Sequence, residues 1–204
     1  MNEKLQLLEQ IEKEVKICTK CPLYKTANCA VAGTGSPDAK IVFIGEAPGA
    51  NEDREGIPFV GQAGKLLDKG LNAIKLSRKD IWIGNIIKHR PPNNRDPLPE
   101  EVEACKPYLN KQLAIIAPKL IITLGRYALT HFIPESSITR VHGKLLIKDT
   151  LNIYPIYHPA AALRNGDFMK SFVQDFLKIP DILEQIVRKN TTNKETRNIQ
   201  TRFV

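Results

Sequence analysis

Two cysteines two residues apart, Cys18-Thr-Lys-Cys21, head a chain that has only two others, Cys29 and Cys105. Thiolates at that spacing can grip one metal, or one iron of a cluster, from a single turn. They can equally form a redox pair or sit buried and inert, and spacing alone leaves those readings open. Three later segments carry other chemistry: Gly45-Glu-Ala-Pro-Gly49, then Asn85 followed by Lys88-His-Arg-Pro-Pro-Asn-Asn-Arg95, then His158-Pro-Ala-Ala161. A carboxylate can take a proton, an amide can read the edge of a heterocycle, and an imidazole can donate to a developing oxyanion. Each segment alone also has a plain reading: a structural turn, a satisfied polar group in a strand, a helix cap.

The elements around these segments decide whether they meet. Lys40-Ile-Val-Phe-Ile-Gly45 is a short, nearly all-apolar run of the kind buried in a parallel sheet. Asp80 to Ile87, Lys119 to Leu124 and Asn152 to Tyr157 are further strands, and Pro155 marks the last as an edge or an irregular strand. Leu8, Ile11 and Val15 predict an amphipathic first helix. Further helices are expected from about Val60 to Leu76, from Pro99 to Ile116 behind a proline and two glutamates, and from Phe168 to Arg188. Alternating strands and helices call for a three-layer α/β/α sandwich around a central, mainly parallel four-stranded sheet. Ligands of such sheets bind beyond the carboxyl ends of the strands, where all three polar segments fall.

With 204 residues the chain can bury a real core, and residues 1–189 are expected to form one domain, with 190–204 as a polar, flexible tail. No stretch is long enough to span a membrane. The N-terminus mixes Glu3, Glu9 and Glu12 with its apolar residues and has no signal-peptide core, so a cytoplasmic protein is expected. A net charge of +8 suits an anionic partner, nucleic acid above all, although a solvated surface reads the same way. A phosphate-binding Gly-Lys-Ser/Thr loop is missing, which argues against a nucleotide hydrolase.

The motifs together resemble the iron-sulfur uracil-DNA glycosylases, family 4 of the uracil-DNA glycosylase superfamily. The resemblance covers roughly residues 10–180: Cys18-x-x-Cys21, Gly45-Glu-Ala-Pro-Gly49, Gly56-Ile-Pro-Phe-Val-Gly-Gln-Ala-Gly64, Asn85-Ile-Ile-Lys88, Arg90-Pro-Pro-Asn-Asn-Arg95, Cys105 and His158-Pro-Ala-Ala161. It implies a monofunctional enzyme that flips uracil out of single- or double-stranded DNA and hydrolyses its N-glycosidic bond, the opening step of base excision repair. The enzyme is expected to act as a monomer and to hold a [4Fe-4S] cluster. Gln200 to Val204 offers only a fragment of a sliding-clamp motif.

By that resemblance Glu46 and His158 are the catalytic pair, Glu46 for the water and the cationic sugar, His158 for uracil O2. The better-known family has its acid one position later, where this chain has Ala47. Gly45 and Ala47 line the base pocket, Phe59 stacks on the base, Asn85 meets uracil O4 and N3–H, and Glu52 crowds C5 to exclude thymine. Gly61, Lys88, Arg90, Arg95 and Arg164 are expected on the DNA backbone, with Leu163 as the wedge that enters the vacated space. The family's third cluster cysteine is replaced here by His89. Cys18, Cys21, His89 and Cys105 are therefore the expected ligands, with Cys29 the alternative to His89. A glycosylase for another deaminated base, or a non-catalytic iron-sulfur DNA-binding module, are the competing functions.

Overall fold

The computed structural model describes residues 2–200, with side chains through residue 189. In chain order the elements are α1 (Glu3–Lys16), β1 (Thr34–Gly35), β2 (Ile41–Gly45), α2 (Ala50–Glu55), α3 (Gln62–Ala73), β3 (Trp82–Asn85), α4 (Pro99–Ile116), β4 (Leu120–Leu124) and α5 (Gly125–Phe132). They continue with α6 (Ile138–Val141), β5 (Leu146–Lys148), β6 (Leu151–Ile156), α7 (Pro159–Ala162), α8 (Gly166–Leu177) and α9 (Ile179–Gln200).

The four apolar runs form the centre of one sheet in the order β1-β3-β2-β4-β6-β5. β3, β2, β4 and β6 run parallel, and every residue of β2, β3 and β4 is buried, as both faces are covered. The four-stranded sheet expected from the sequence is extended to six by β1 and β5, which pair antiparallel at the two edges. Strands of two and three residues are too short for alternation to show. Pro155 is tolerated because β5 pairs β6 only as far as Ile153. Beyond it the outward face of β6 has no ladder to join, and the Pro155 carbonyl accepts from the Gly143 N–H instead.

Alternate side chains of each strand feed opposite layers. Ile41, Phe43, Ile83, Leu120, Ile122, Tyr154 and Ile156 pack with Leu67 and Leu71 of α3, Phe172 and Phe176 of α8, and Ile179 and Ile186 of α9. Val42, Ile44, Trp82 and Ile121 face Cys105, Leu109 and Ile116 of α4 and Ala128 of α5. α1 lies outside α4, with Ile11 and Val15 against Tyr108. The result is the three-layer sandwich, with α1 added to one outer layer.

The helix expected over 168–188 is two helices. α8 stops at Leu177 and α9 restarts at Ile179, because Pro180 has no N–H to extend α8 and restricts the residue before it. The backbone of α9 continues to Gln200. The tail expected at 190–204 and the clamp-like fragment at its end lie, in their side chains and in residues 201–204, outside the described residues. Among the described residues no helix is long and apolar enough to cross a membrane.

One close approach sets how α3 meets the sheet. Gly64, buried in the first turn of α3, runs so close to the backbone of Phe59 that an added Cβ would collide with the Phe59 carbonyl. Both sides of the contact are backbone, so neither can swing away. Gly64→Ala is therefore expected to destabilise the fold by about 1–3 kcal/mol, read as a lower urea midpoint at unchanged slope. An unchanged midpoint would refute the packing argument.

Candidate active site and metal centre

The chain leaves β2 toward β3 on one side and toward β4 on the other, so a crevice opens where the strand order reverses. A cleft of about 480 Å³ lies there, within the size range of small-ligand pockets. Its wall is assembled from the ends of the strands and the segments that follow them: Glu46 to Gly49 after β2, Asn85 at the end of β3, Leu124 at the end of β4 with Gly125 to Tyr127 after it, and His158, Ala160, Ala161 and Arg164 after β6. Phe59 and Glu52 complete it on the side of α2 and α3. The structure thus brings Glu46, Ala47, Glu52, Phe59, Asn85, Arg95, His158 and Arg164 to one pocket.

Phe59 is held in an unusual backbone state, with φ at 55°, and is 5% exposed. Three supports keep it there. Glu52 Oε1 accepts from the N–H groups of Val60 (2.8 Å) and Gly61 (2.9 Å), while Oε2 accepts from Gly49 (3.1 Å). Arg78 donates to the carbonyls of Pro58 and Phe59 and is itself paired with Asp68 at 2.7 Å. Gly45 provides the third: a Cβ at Gly45 would stand 2.6 Å from the Phe59 ring and 2.5 Å from Asn85 Oδ1. The ring ends 5.9 Å from that of His158. These contacts correct two sequence expectations. Glu52 lines the cleft, but its oxygens are spent on backbone amides as a clamp between two loops, and the Gly61 amide, taken by that clamp, is not free for a phosphate.

Asn85 is 1% exposed, and its Oδ1 is buried without a hydrogen-bond partner. Such an acceptor costs free energy until a donor meets it. His158 caps α7, and its Nδ1 accepts from the Ala160 N–H at 3.1 Å, which puts the ring proton on Nε2. Burial, aided by Arg164, pushes its pKa down to about 4, so the ring is neutral near pH 7. Burial acts on Glu46 with the opposite sign. Together with Asp96 it drives that carboxyl up to about 7 against the pull of Arg126.

Asp96, Arg126 and Tyr127 are pocket residues that the sequence reading missed. The Tyr127 hydroxyl bonds the Asp96 carboxylate, and Arg126 stacks on the Tyr127 ring at 4.4 Å while donating to its hydroxyl at 2.8 Å. Tyr127 and Arg126 sit in the first turn of α5, an eight-residue helix that opens directly from a strand with no capping side chain to announce it.

The expected phosphate contacts divide. Arg164 lines the cleft with its side chain at the surface, and Leu163 beside it in the chain is 47% exposed. Arg90 is half-buried and bonds Asn94 at 2.8 Å. Arg95 reaches the cleft but is bound in a fork to Glu101, a carboxylate 1% exposed, at 2.6 and 2.9 Å. Lys88 departs entirely from expectation. It is fully buried, its ammonium bonded to the Asn85 carbonyl and to Gln112, each at 2.9 Å, and burial takes its pKa down to about 8. It cannot touch DNA.

On the other face the four cysteines are free thiols. Tyr108 of α4 hydrogen-bonds Cys18, one turn beyond Cys105 on the same helix, and Cys18 and Cys21 both act electrostatically on Cys105. His89 and Cys29 line a smaller cavity together with Cys18. Asp53 fixes the Cys29 segment by accepting from the N–H groups of Asn28 (2.9 Å) and Cys29 (3.3 Å). His89 Nδ1 is buried without a partner, and burial lowers the pKa of the ring, leaving a neutral nitrogen free to ligate. Burial raises the Cys105 thiol to about 11, a proton that only a bound cation would displace. Among the described residues no three such side chains converge on one point as a single ion requires.

The model of the uracil DNA glycosylase superfamily matches residues 32–178. The type-4 uracil-DNA glycosylase of Saccharolobus solfataricus is 48% identical over 86% of this chain and 86% of its own length, and that of Sulfurisphaera tokodaii 47% identical over 86% and 84%. The type-4 enzyme of Archaeoglobus fulgidus is 44% identical over 87% of this chain and 94% of its own. With its motifs set at the carboxyl ends of the strands and its length matched by these relatives, the chain belongs to the uracil-DNA glycosylase superfamily and, within it, to the type-4 group.

Proposed function

We propose that the protein is a monofunctional uracil-DNA glycosylase that draws a flipped uracil nucleotide into the cleft and hydrolyses its N-glycosidic bond. The observation that carries this reading is the buried, unpartnered Asn85 Oδ1 in a pocket shared with a neutral His158. Uracil offers N3–H to that oxygen, and its O4 takes the amide N–H; cytosine, whose N3 is an acceptor, would leave two acceptors facing each other in a dry site. Phe59 supplies the stacking surface.

As the C1′–N1 bond breaks, its electron pair passes to uracil and the charge spreads onto O2, where His158 Nε2–H donates. The sugar becomes cationic, and the Glu46 carboxylate faces it and takes the proton of the water that bonds to C1′. Leu163, an exposed apolar side chain, is suited to enter the emptied stack, and the surface cation of Arg164 to hold a flanking phosphate. Among the described residues no lysine lines the cleft for covalent capture of the sugar, which favours simple hydrolysis.

The chain is further proposed to hold a [4Fe-4S] cluster on Cys18, Cys21, Cys105 and His89, supported by the free thiols around α4 and the unpartnered His89 Nδ1. When bound, that group would tie the N-terminal segment to α4.

Glu46→Ala and His158→Ala are each expected to slow single-turnover uracil release by roughly a hundredfold while DNA affinity stays near that of the parent. Because Glu46 must be ionised and its pKa stands near 7, the rate should climb about tenfold per unit up to that pH and level off above it. Glu46→Gln should flatten the profile, and near-parental rates in the two alanine variants would sink the mechanism.

Glu52→Ala leaves three amides without an acceptor. It should cost about 1.5–3 kcal/mol in urea unfolding and give no thymine release; thymine excision by this variant would restore Glu52 as a gate against C5-methyl.

For the cluster, His89→Ala should lose iron and visible absorbance while Cys29→Ser keeps both. The reverse pattern would hand the fourth position to Cys29.

A further inference from the structure

Lys88 is the largest charged side chain in the interior and plays no part in the chemistry above. An ammonium without water is costly unless oxygens replace its hydration shell. Here two do: the backbone carbonyl of Asn85 and Oε1 of Gln112, each at 2.9 Å, with the Trp82 ring 5.9 Å from Nζ. Gln112, itself buried in α4, is anchored in turn through Nε2 to the Ala32 carbonyl at 2.8 Å. The backbone of Lys88 is also engaged. Its carbonyl accepts from the Val31 N–H at 2.7 Å, and its N–H donates to the Cys105 sulfur.

One residue therefore grips the end of β3, α4 and the segment entering β1. Its terminal bond falls on the residue whose amide faces the cleft. The peptide joining Asn85 to Ile86 is held at both ends: the Ile86 N–H donates to the Gly45 carbonyl at 3.0 Å, and the Asn85 carbonyl accepts from Lys88, so without Lys88 the peptide is held at one end only. A peptide held at one end can still tilt about that bond, and the tilt turns the Asn85 Cα–Cβ bond and Oδ1 with it. If Lys88 served only to fill volume, an apolar chain of equal length would do so without the desolvation cost.

We propose that Lys88 is a positioning residue: through its bond to the Asn85 carbonyl it sets the aim of the base-reading amide and ties that aim to the packing of the cysteine-bearing helix α4. The proposal rests on the reading of Asn85 as the base reader.

A double-mutant cycle on the purified full chain tests it, with single-turnover uracil release, DNA affinity, iron content and unfolding midpoint measured for each variant. Lys88→Met should slow release about tenfold or more at unchanged DNA affinity, as misaimed groups do, and Lys88→Arg, which can still reach the carbonyl, should recover part of the loss. In an Asn85→Ala background Lys88→Met should add less than twofold, because the amide it aims is gone. A tenfold loss in both backgrounds would make Lys88 merely structural and overturn the proposal, as would a parental rate in Lys88→Met beside an impaired Asn85→Ala. A fully active Asn85→Ala would overturn the reading of the site and the proposal with it. If Lys88→Met does not fold, Gln112→Leu replaces it under the same criterion: a several-fold loss present with Asn85 and absent without it supports the proposal, and any other pattern overturns it.

Discussion

The carboxylate of Glu52 accepts N–H groups from Gly49, Val60 and Gly61, joining the loop after β2 to the loop before α3, and the shape of the cleft depends on that junction. Without it, Phe59 would have no reason to keep a left-handed backbone, since nothing in a phenylalanine favours that region. Arg78 closes the other side of the same turn through two carbonyls, and Gly45 and Gly64 allow the ring and its backbone to approach the sheet and α3. The position of this flat aromatic ring is thus over-determined by contacts with Glu52, Arg78, Gly45 and Gly64. Such strain is tolerated where a rigid platform is worth more than local comfort.

Burial does two jobs with one cause. In the same cleft it lifts the Glu46 carboxyl and lowers the His158 imidazolium, so a proton acceptor is poised near neutrality beside a donor that carries no charge. Neutral imidazole suits this geometry because the Ala160 amide occupies Nδ1 and leaves Nε2–H as the only ring donor. Asp96 and Arg126, bound to each other through Tyr127, pull Glu46 in opposite directions and leave burial as the deciding influence.

The parallel strands were legible because strands covered on both faces read as unbroken apolar runs, and the topology then dictated that Glu46, Asn85 and His158 share one rim. What the sequence could not reveal was the direction a polar side chain faces. Lys88, Arg95 and Glu52 belong to the right loops, yet each is turned to an internal partner that only the fold supplies: the Asn85 carbonyl, Glu101, and backbone amides that include that of Gly61. Pro180 was present to divide α8 from α9, but the apolar spacing across it is continuous and masked the break. The edge strands were too short for alternation to show, and α5 is a short helix that runs straight out of β4 without a capping side chain. The cysteines could be grouped by spacing; the role of His89 needed its buried, unpartnered nitrogen to be seen.

The inward turn of these cations changes what the net charge of +8 means for the encounter with DNA. Lys88 is sealed in the core, Arg78 braces the Phe59 turn, and Arg95 is held by a buried carboxylate, so three positive charges are committed before a nucleic acid arrives. Binding a polyanion releases one set of condensed counterions for each phosphate that an outward-facing cation neutralises, and charges facing inward release none. The affinity of this protein for DNA should therefore fall with rising salt less steeply than its composition suggests, leaving more of the recognition to the groups inside the cleft.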